Sequence, residues 1–455
     1  MTTRSLTESP DAARDDTSGQ HGDVSYQRII RVSLPMVASA VVAVVMQVVV
    51  LALIGHMGGS ALYVRSVYTP VSYLFLAMTT GLAVTVQVSV AQACGRGAPQ
   101  ASADYLGSIA RAGVAVFVVL GGLLMALAGP LSSAIGVAGG SRGTFRVFLA
   151  AMAVATVFGM LGELCSGVLR GAGRTGIAAI ITATYVTINL GIVSADLALH
   201  GGLMVVPIAA GAAGAVEIAL GFGALVHVGL VRPRRLTAWR PDTWRMLLRI
   251  GLPVGITSVV LAVVDLVLLR IVGPAGQQAV AGFNVGYTIQ AAVIVPAVGL
   301  GSAIAVLMNQ SLPGHGLAAY RVVFRRGLLL ATAGYASVTV ALILLGGPLA
   351  SVMSGNPAVA EQARHFVMIV GPTFGCTGLT LVVLTILEQV GHGRIAVLMN
   401  SGYFLVVLVI GALAVHAHHQ VTGLYWTMAI AAVIGLVTGM PITVRAGRNP
   451  RVLRR

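Results

Sequence analysis

The chain has no lysine, few acids and only three cysteines. Charged residues make up 9% of its 455 positions, against roughly 25% in soluble domains. Aromatics are also scarce, at 5%. What remains is 57% hydrophobic, with a mean hydropathy of +0.93. A soluble core cannot absorb that much apolar surface, so the composition points to a polytopic membrane protein. Cys94, Cys165 and Cys376 fall in or at the ends of apolar stretches. They read as small packing residues and not as a disulfide or metal framework. No nucleophile–base pair or phosphate loop is present, so enzymatic chemistry is not expected. His416, His418 and His419 form an HAHH run without a nearby cysteine or acid. A solvated loop is the preferred reading there over a metal site.

All 28 basic residues are arginine and the net charge is +15. The absence of lysine reads as coding bias. The charge invites a nucleic-acid reading, but its placement argues for topology instead. Glycine is abundant, at 57 residues, well above the usual share of about 7%. Small residues let transmembrane helices approach closely.

The stretch around which the chain is organised is IGLPVGITSVVLAVVDLVLLRIVG, residues 250–273. It aligns without a gap with VSLPMVASAVVAVVMQVVVLALIG, residues 32–55, at an offset of 218, and eight of 24 positions are identical. Gln47 falls where Asp265 sits. The offset persists: Gly81 matches Gly299, Gln92 matches Gln310, Gly129-Pro130 matches Gly347-Pro348 and Gly173 matches Gly391. A constant offset over so long a stretch argues for a duplicated unit.

Twelve apolar spans are expected, near 29–54, 66–92, 107–128, 144–169, 177–199, 204–229, 250–272, 279–307, 323–346, 362–387, 396–415 and 421–444. Each is long enough to cross about 30 Å of hydrocarbon. Six spans per half make the repeat parallel, with a pseudo-twofold axis along the membrane normal. The fold class is therefore an all-α polytopic membrane protein with two six-helix lobes. Residues 1–25 read as a disordered cytoplasmic tail, 26–230 as the first lobe and 231–249 as a basic cytoplasmic linker. Residues 250–444 form the second lobe and 445–455 a basic tail. No cleaved signal peptide is expected before the first span. With both termini inside, only Arg65, Arg142, Arg146, Arg270 and Arg364 lie at outer ends. That bias fits the positive-inside rule, a multi-pass plasma-membrane location and anionic lipid at the inner face. WRMLLRIGLP (244–253) aligns with YQRIIRVSLP (26–35), so each half begins with a short basic interfacial helix.

An ionised side chain at mid-bilayer costs about 2.5–3.5 kcal/mol, so it requires a reason to be there. Asp265 and Glu217 are the two acids well inside spans. Asp265 is the first ion-coupling candidate; an ion pair with Arg270, five residues on, is the alternative. Glu217 is either a second coupling site or a hydrogen-bond hub within the first lobe. Glu163, Asp196, Glu361 and Glu388 lie near span ends, where water is close, and are set aside. Two uncharged stripes suggest a solute cavity: Asn284, Tyr287 and Gln290 in span 8, and Ser66, Thr69, Ser72 and Tyr73 in span 2. Gln47, Asn189, Asn400 and Tyr403 join that set. Helix–helix hydrogen bonds, worth about 0.6 kcal/mol on average, are the competing account of the stripes. Pro35 and Pro253 read either as bending points or as helix starts.

In several motifs the chain resembles the multidrug and toxic compound extrusion (MATE) family of secondary transporters. The motifs are LP opening the first helix of each half, Gly55-His56-Met57-Gly58, GLAVTVQVSVAQACGRG (81–97) with GLGSAIAVLMNQ (299–310), and LRGAGRTG (169–176) with LEQVGHGR (387–394). The resemblance covers roughly residues 26–445. It implies a cavity between two lobes, open to one side at a time. It implies export of amphipathic, often cationic compounds, or of a secondary metabolite, in exchange for H⁺ or Na⁺, with no other cofactor. Family members carry acids where this chain has Val50 and Leu261. Asp265 lies one helical turn beyond Leu261 on the same face. A lipid or lipid-linked saccharide flippase of a related fold is the alternative function; it calls for a strongly basic cavity, for which Arg111 is the main candidate. The partners expected are an organic solute and membrane lipid, with the protein acting as a monomer.

Overall fold

The structure, a computed structural model, describes residues 25–57, 59–130, 142–199, 202–232, 236, 239–352, 357–418 and 420–447. The expected tails at 1–24 and 448–455 lie outside the described residues. The first half contains α1 (Tyr26–His56), α2 (Gly59–Gly95), α3 (Ala101–Ala126), α4 (Arg142–Gly171), α5 (Thr175–Ala198) and α6 (Val205–His227). The second contains α7 (Leu252–Val272), α8 (Gln277–Val352), α9 (Pro357–Val370), α10 (Phe374–Leu387), α11 (Gly393–His418) and α12 (Thr422–Gly447). Among the described residues, ten continuous helical runs are long and apolar enough to cross a membrane. Two of them, Gln277–Leu344 and Pro357–Ala417, each hold two spans, because left-handed glycines interrupt them at Gly316 (φ 76°) and Gly391 (φ 88°). Twelve spans result, with α9 and α10 together forming the tenth. The chain is an all-helical, multi-pass membrane protein, as the repeat predicts.

Helix starts follow local chemistry. The Ser25 hydroxyl accepts from the Gln27 backbone N–H at 3.1 Å and caps α1. Pro35 lies inside α1 rather than at its start, which removes the helix-start reading. Ser39 donates to the Pro35 carbonyl at 2.8 Å. Pro253 opens α7 directly after a π-helical turn, Leu247–Gly251, which follows a short helix, Asp242–Met246. A wider turn suits a position where proline supplies no N–H.

The offset of 218 is visible in the backbone. Gly173 and Gly391, repeat partners, are both left-handed, with φ of 79° and 88°. Gly81 and Gly299, also partners, both make close approaches of one half to the other. A Cβ on Gly81 would lie 2.5 Å from the Gly251 carbonyl oxygen, and one on Gly299 would lie 3.0 Å from the Met36 carbonyl oxygen. The second helix of each half thus touches the start of the first helix of the other. Around the latter contact, Ile29, Val32 and Met36 of α1 pack into one core with Ala297, Ala303, Ile304 and Leu307 of α8. These contacts lie toward the face where α1 begins and α12 ends, called the basal face below. The distal face is the opposite one.

The connection between halves is docked. Arg240 lies over the Tyr105 ring at 4.5 Å and faces Asp104 at 3.9 Å, while its backbone N–H donates to the Ser108 hydroxyl at 3.0 Å. The Leu236 carbonyl oxygen sits where a Cβ on Gly107 would come within 2.1 Å.

Replacing Gly81 by alanine forces backbone apart at this contact, because the obstacle is a carbonyl and not a flexible side chain. Overpacking of this kind costs about 1–3 kcal/mol. Gly122→Ala in α3 meets nothing within 4 Å and gains helix propensity of up to about 1 kcal/mol. Thermal unfolding in detergent is expected to show a lower midpoint for Gly81→Ala and an unchanged or higher one for Gly122→Ala.

Candidate functional site

Asp265 lies in the distal half of α7, next to the distal limb of α8. Its Oδ1 accepts from the Tyr287 hydroxyl at 2.6 Å. The Tyr287 ring is fixed by stacking on Phe283, with centroids 5.4 Å apart. Phe283 in turn meets Phe366 edge-on at 5.7 Å and stacks on Tyr425 at 6.4 Å. Such aromatic contacts prefer defined geometries and so hold the hydroxyl in place. Tyr403 of α11 and Tyr73 of α2 lie close enough to feel the charge of this pair. Tyr73 belongs to the other half, so the pair lies near the boundary of the two halves. Asp265 makes no ion pair among the described residues, and Arg270 is exposed. The alternative ion pair with Arg270 is thus absent among the described residues.

The other candidates divide. Gln290 and Asn400 are buried, and Gln290 Oε1 and Asn400 Nδ2 have no hydrogen-bond partner among the described residues. Buried polar atoms without protein partners call for water or a ligand. Asn284 and Gln47 are exposed, while Asn189 is buried. Thr69 donates to the Arg65 carbonyl at 3.1 Å and Ser72 to the Thr69 carbonyl at 2.6 Å. Those two hydroxyls are satisfied along their own helix. The side chain of Ser66 lies outside the described residues, as do that of His418 and all of His419.

Glu217 stands apart from the Asp265 group. It is buried between α6 and α4, where Ser166 donates to its Oε1 at 3.3 Å. A Cβ on Gly162 would lie 2.6 Å from its Oε2, so the glycine makes room for the carboxylate. This is the hydrogen-bond position within the first lobe that the sequence offered as one of two roles.

A second polar group went unread in the sequence. At the basal end of the interface, Gln87 Nε2 donates to Gln389 Oε1 at 3.1 Å, and Gln389 Nε2 donates to the Ser302 hydroxyl at 2.6 Å. Asn309 Nδ2 donates to the Gln389 carbonyl at 3.1 Å, and Gln92 Nε2 to Asn309 Oδ1 at 3.1 Å. Gln310 Nε2 donates to the Gly171 carbonyl at 2.8 Å. Arg170 joins the chain of bonds by donating to Gln87 Oε1 at 3.1 Å, and it also pairs with Glu163. The amides thus bridge the two halves. Their signal in the sequence is the repeat match of Gln92 with Gln310.

Glu388 corrects an expectation. It was set aside as a residue near water, yet it is 8% exposed and accepts from the Thr257 hydroxyl at 2.6 Å. The π-helical turn Glu388–His392 folds the end of the tenth span against α7 and covers it. Glu361, by contrast, is exposed and pairs with Arg364 and His365, as a surface acid does.

The MatE family model matches residues 35–193 and again 253–413, once per half. A Thermotoga maritima protein named probable multidrug resistance protein NorM is 24% identical over 366 residues, or 76% of each chain. A Deinococcus radiodurans protein of the same name is 29% identical over 330 residues, 70% of this chain and 71% of that one. Among solved structures, the Vibrio cholerae MATE transporter VcmN in its bent form superposes with a TM-score of 0.83 at 16% identity, covering 93% of this chain and 97% of that one. A MOP superfamily transporter from Pyrococcus furiosus gives a TM-score of 0.81 at 14% identity, covering 93% and 96%.

Removing the Gln389 carboxamide strands Gln87 and Ser302 in a buried interface. An unsatisfied buried group costs about 1–3 kcal/mol. Gln389→Ala is therefore expected to raise amide hydrogen exchange in 299–312 and 85–95 by roughly 5- to 100-fold. Thr187→Ala is the control, since its hydroxyl is exposed and bonds its own helix. Equal exchange in the two variants would show that the bridge does not hold the halves together.

Proposed function

The chain belongs to the MatE family, as a transporter and not an enzyme, and from that premise we propose that it exports amphipathic organic cations or a secondary metabolite by exchange for H⁺ or Na⁺. In this reading it is a multidrug efflux transporter of the plasma membrane, with both termini and the basal face in the cytoplasm. The observation that carries the reading is the Asp265 carboxylate, held by Tyr287 and facing Tyr73 of the other half. A carboxylate there can hold a proton, a sodium ion or an organic cation, and not two at once. Mutual exclusion at one group is the simplest basis for antiport. The rings of Tyr73, Tyr287 and Tyr403 supply faces that attract a cation by about 0.5–2 kcal/mol each. Gln290 and Asn400 offer an unsatisfied acceptor and donor for the polar end of a solute.

Energetics constrain the stoichiometry. A proton moving down 100 mV and one pH unit supplies about 3.7 kcal/mol. That sustains roughly a 500-fold gradient of a neutral solute. For one-for-one exchange against a monovalent cation the voltage cancels, which leaves about tenfold. Strong clearance of a cation therefore requires a second ion. Glu217 and Glu388 are the buried acids that remain for it.

The flippase alternative has less support. Arg111, its main candidate for a basic cavity, is exposed and lies over the Trp239 ring at 5.5 Å on the docked linker.

The test uses purified protein in liposomes loaded with a fluorescent organic cation, with proton and sodium gradients imposed separately. Ion-driven efflux is expected in the wild type. It should fall at least tenfold in Asp265→Asn, while Arg270→Gln keeps it. Efflux that survives Asp265→Asn removes coupling from α7. An absence of ion-driven efflux in the wild type overturns antiport itself. Glu217→Gln and Glu388→Gln are then compared by transport current. A current per solute matching the wild type in both excludes them as the second ion site.

A further inference from the structure

Beside the buried bridge lies a cleft that the transport reading does not use. It occupies about 260 Å³ between the starts of α7 and α11 and is lined by Arg249, Pro253, His392, Arg394 and their neighbours. We propose that this cleft binds the phosphate-bearing headgroup of an anionic membrane lipid.

The backbone builds the site. Gly393 packs so closely on α7 that a Cβ there would lie 2.6 Å from Pro253 Cβ and 3.4 Å from the Arg249 carbonyl oxygen. That contact requires glycine, and it fixes Arg394, the next residue, beside Arg249. The left-handed Gly391 turns the chain into the cleft just before it. Two arginines from different elements therefore line one small cavity, and both residues are exposed.

Neither arginine has a carboxylate partner among the described residues. Elsewhere on the same face Arg170 pairs with Glu163, and Arg240 faces Asp104 and Asp242. Glu388, the acid nearest in sequence, is buried and engaged by Thr257. Two like charges lining one cleft repel each other unless an anion lies between them. Arginine forks match phosphate oxygens with paired N–H donors.

The surroundings point to lipid as the source of that phosphate. Trp244, Leu248, Leu252 and Leu398 are 59%, 49%, 50% and 73% exposed. They form an apolar flank next to the cleft, suited to acyl chains and to the interfacial position tryptophan favours. The volume falls below the roughly 300–1,000 Å³ of sites for drug-sized solutes. It suits a headgroup whose tails remain outside. The first half carries Arg31 and Arg174 at the repeat equivalents of Arg249 and His392, both exposed. A basic rim at this depth is thus present in both lobes.

Native mass spectrometry of the full chain in mild detergent, titrated with phosphatidylglycerol or phosphatidylcholine, tests the proposal. The double variant R249Q/R394Q is expected to bind phosphatidylglycerol roughly tenfold more weakly and phosphatidylcholine unchanged. R321Q/R325Q, which removes the same charge from elsewhere on the basal face, should retain wild-type binding. Inorganic phosphate at 10 mM should not displace the lipid. Equal loss in both double variants would mean a diffuse charge effect and would overturn the site. Displacement by inorganic phosphate would mean a free-anion site and would overturn the lipid assignment. A photoactivatable phosphatidylglycerol on the wild type gives a check free of any folding defect. Labelling within 244–254 and 391–398 is expected, and labelling confined elsewhere refutes the cleft. None of these measurements reads transport, so their failure leaves the antiport reading standing.

Discussion

Backbone meets backbone where the two halves touch at the basal end, and nothing soft lies between them. Gly81 faces the Gly251 carbonyl, Gly95 faces the Gln310 carbonyl and Gly299 faces the start of α1. In a bilayer, helices gain little from burying apolar surface against one another, because lipid tails are equally apolar. What holds two lobes together is close packing and hydrogen bonding. Here glycine supplies the first, and Gln87, Gln92, Asn309, Gln310 and Gln389 supply the second.

The pseudo-twofold makes the seam possible, and its breakdown makes it specific. Gly81 and Gly299 do the same work in the two halves. Arg170 and Glu388 occupy equivalent positions with opposite charge, and Gly171 is matched by Gln389. Gly171 accepts through its carbonyl from Gln310, and Gln389 accepts through its carbonyl from Asn309. The backbone half of the motif is thus kept while the side chains diverge. Gln47 and Asp265 diverge likewise. α1 places an exposed amide where α7 places a carboxylate.

Much of this was legible before any coordinates. The twelve spans, the two lobes and the offset rest on hydropathy and on identities such as Pro35/Pro253, which composition and spacing carry directly. Asp265 and Tyr287 were legible because charge and polarity are rare in these spans and stand out. Gln389 and Glu388 were not. They sit at a span end, and whether a span end meets water depends on how the next turn folds. That turn depends on a left-handed Gly391 and a π-helical wind that no periodicity announces. The partner of Glu388, Thr257, lies 131 residues away. Sequence spacing has no purchase on a contact of that kind. The roles open to Glu217 also needed coordinates, since only packing shows that it faces α4.

The element that joins these parts is α7. Its basal end is pinned by the Gly251–Gly81 contact, and Thr257 binds the buried acid at the end of the tenth span. Two turns further on, about 12 Å along the axis, the same helix places Asp265 near the boundary of the two halves. A helix does not stretch, so these contacts cannot move independently. A bound ion or solute shifts the balance between two conformations only by as much as it prefers one of them. In the proposed exchange that preference arises at Asp265 from whether the carboxylate keeps the Tyr287 hydroxyl, and at the seam from whether the amides keep one another. Opening the seam breaks several buried hydrogen bonds, each worth about 0.6 kcal/mol on average between membrane helices. The total is a few kcal/mol, comparable to the roughly 3.7 kcal/mol that one proton delivers under 100 mV and one pH unit. Under the proposed exchange, a seam of glycine and neutral amides is therefore matched to its driving force. One held by several ion pairs would be harder to open with a single ion.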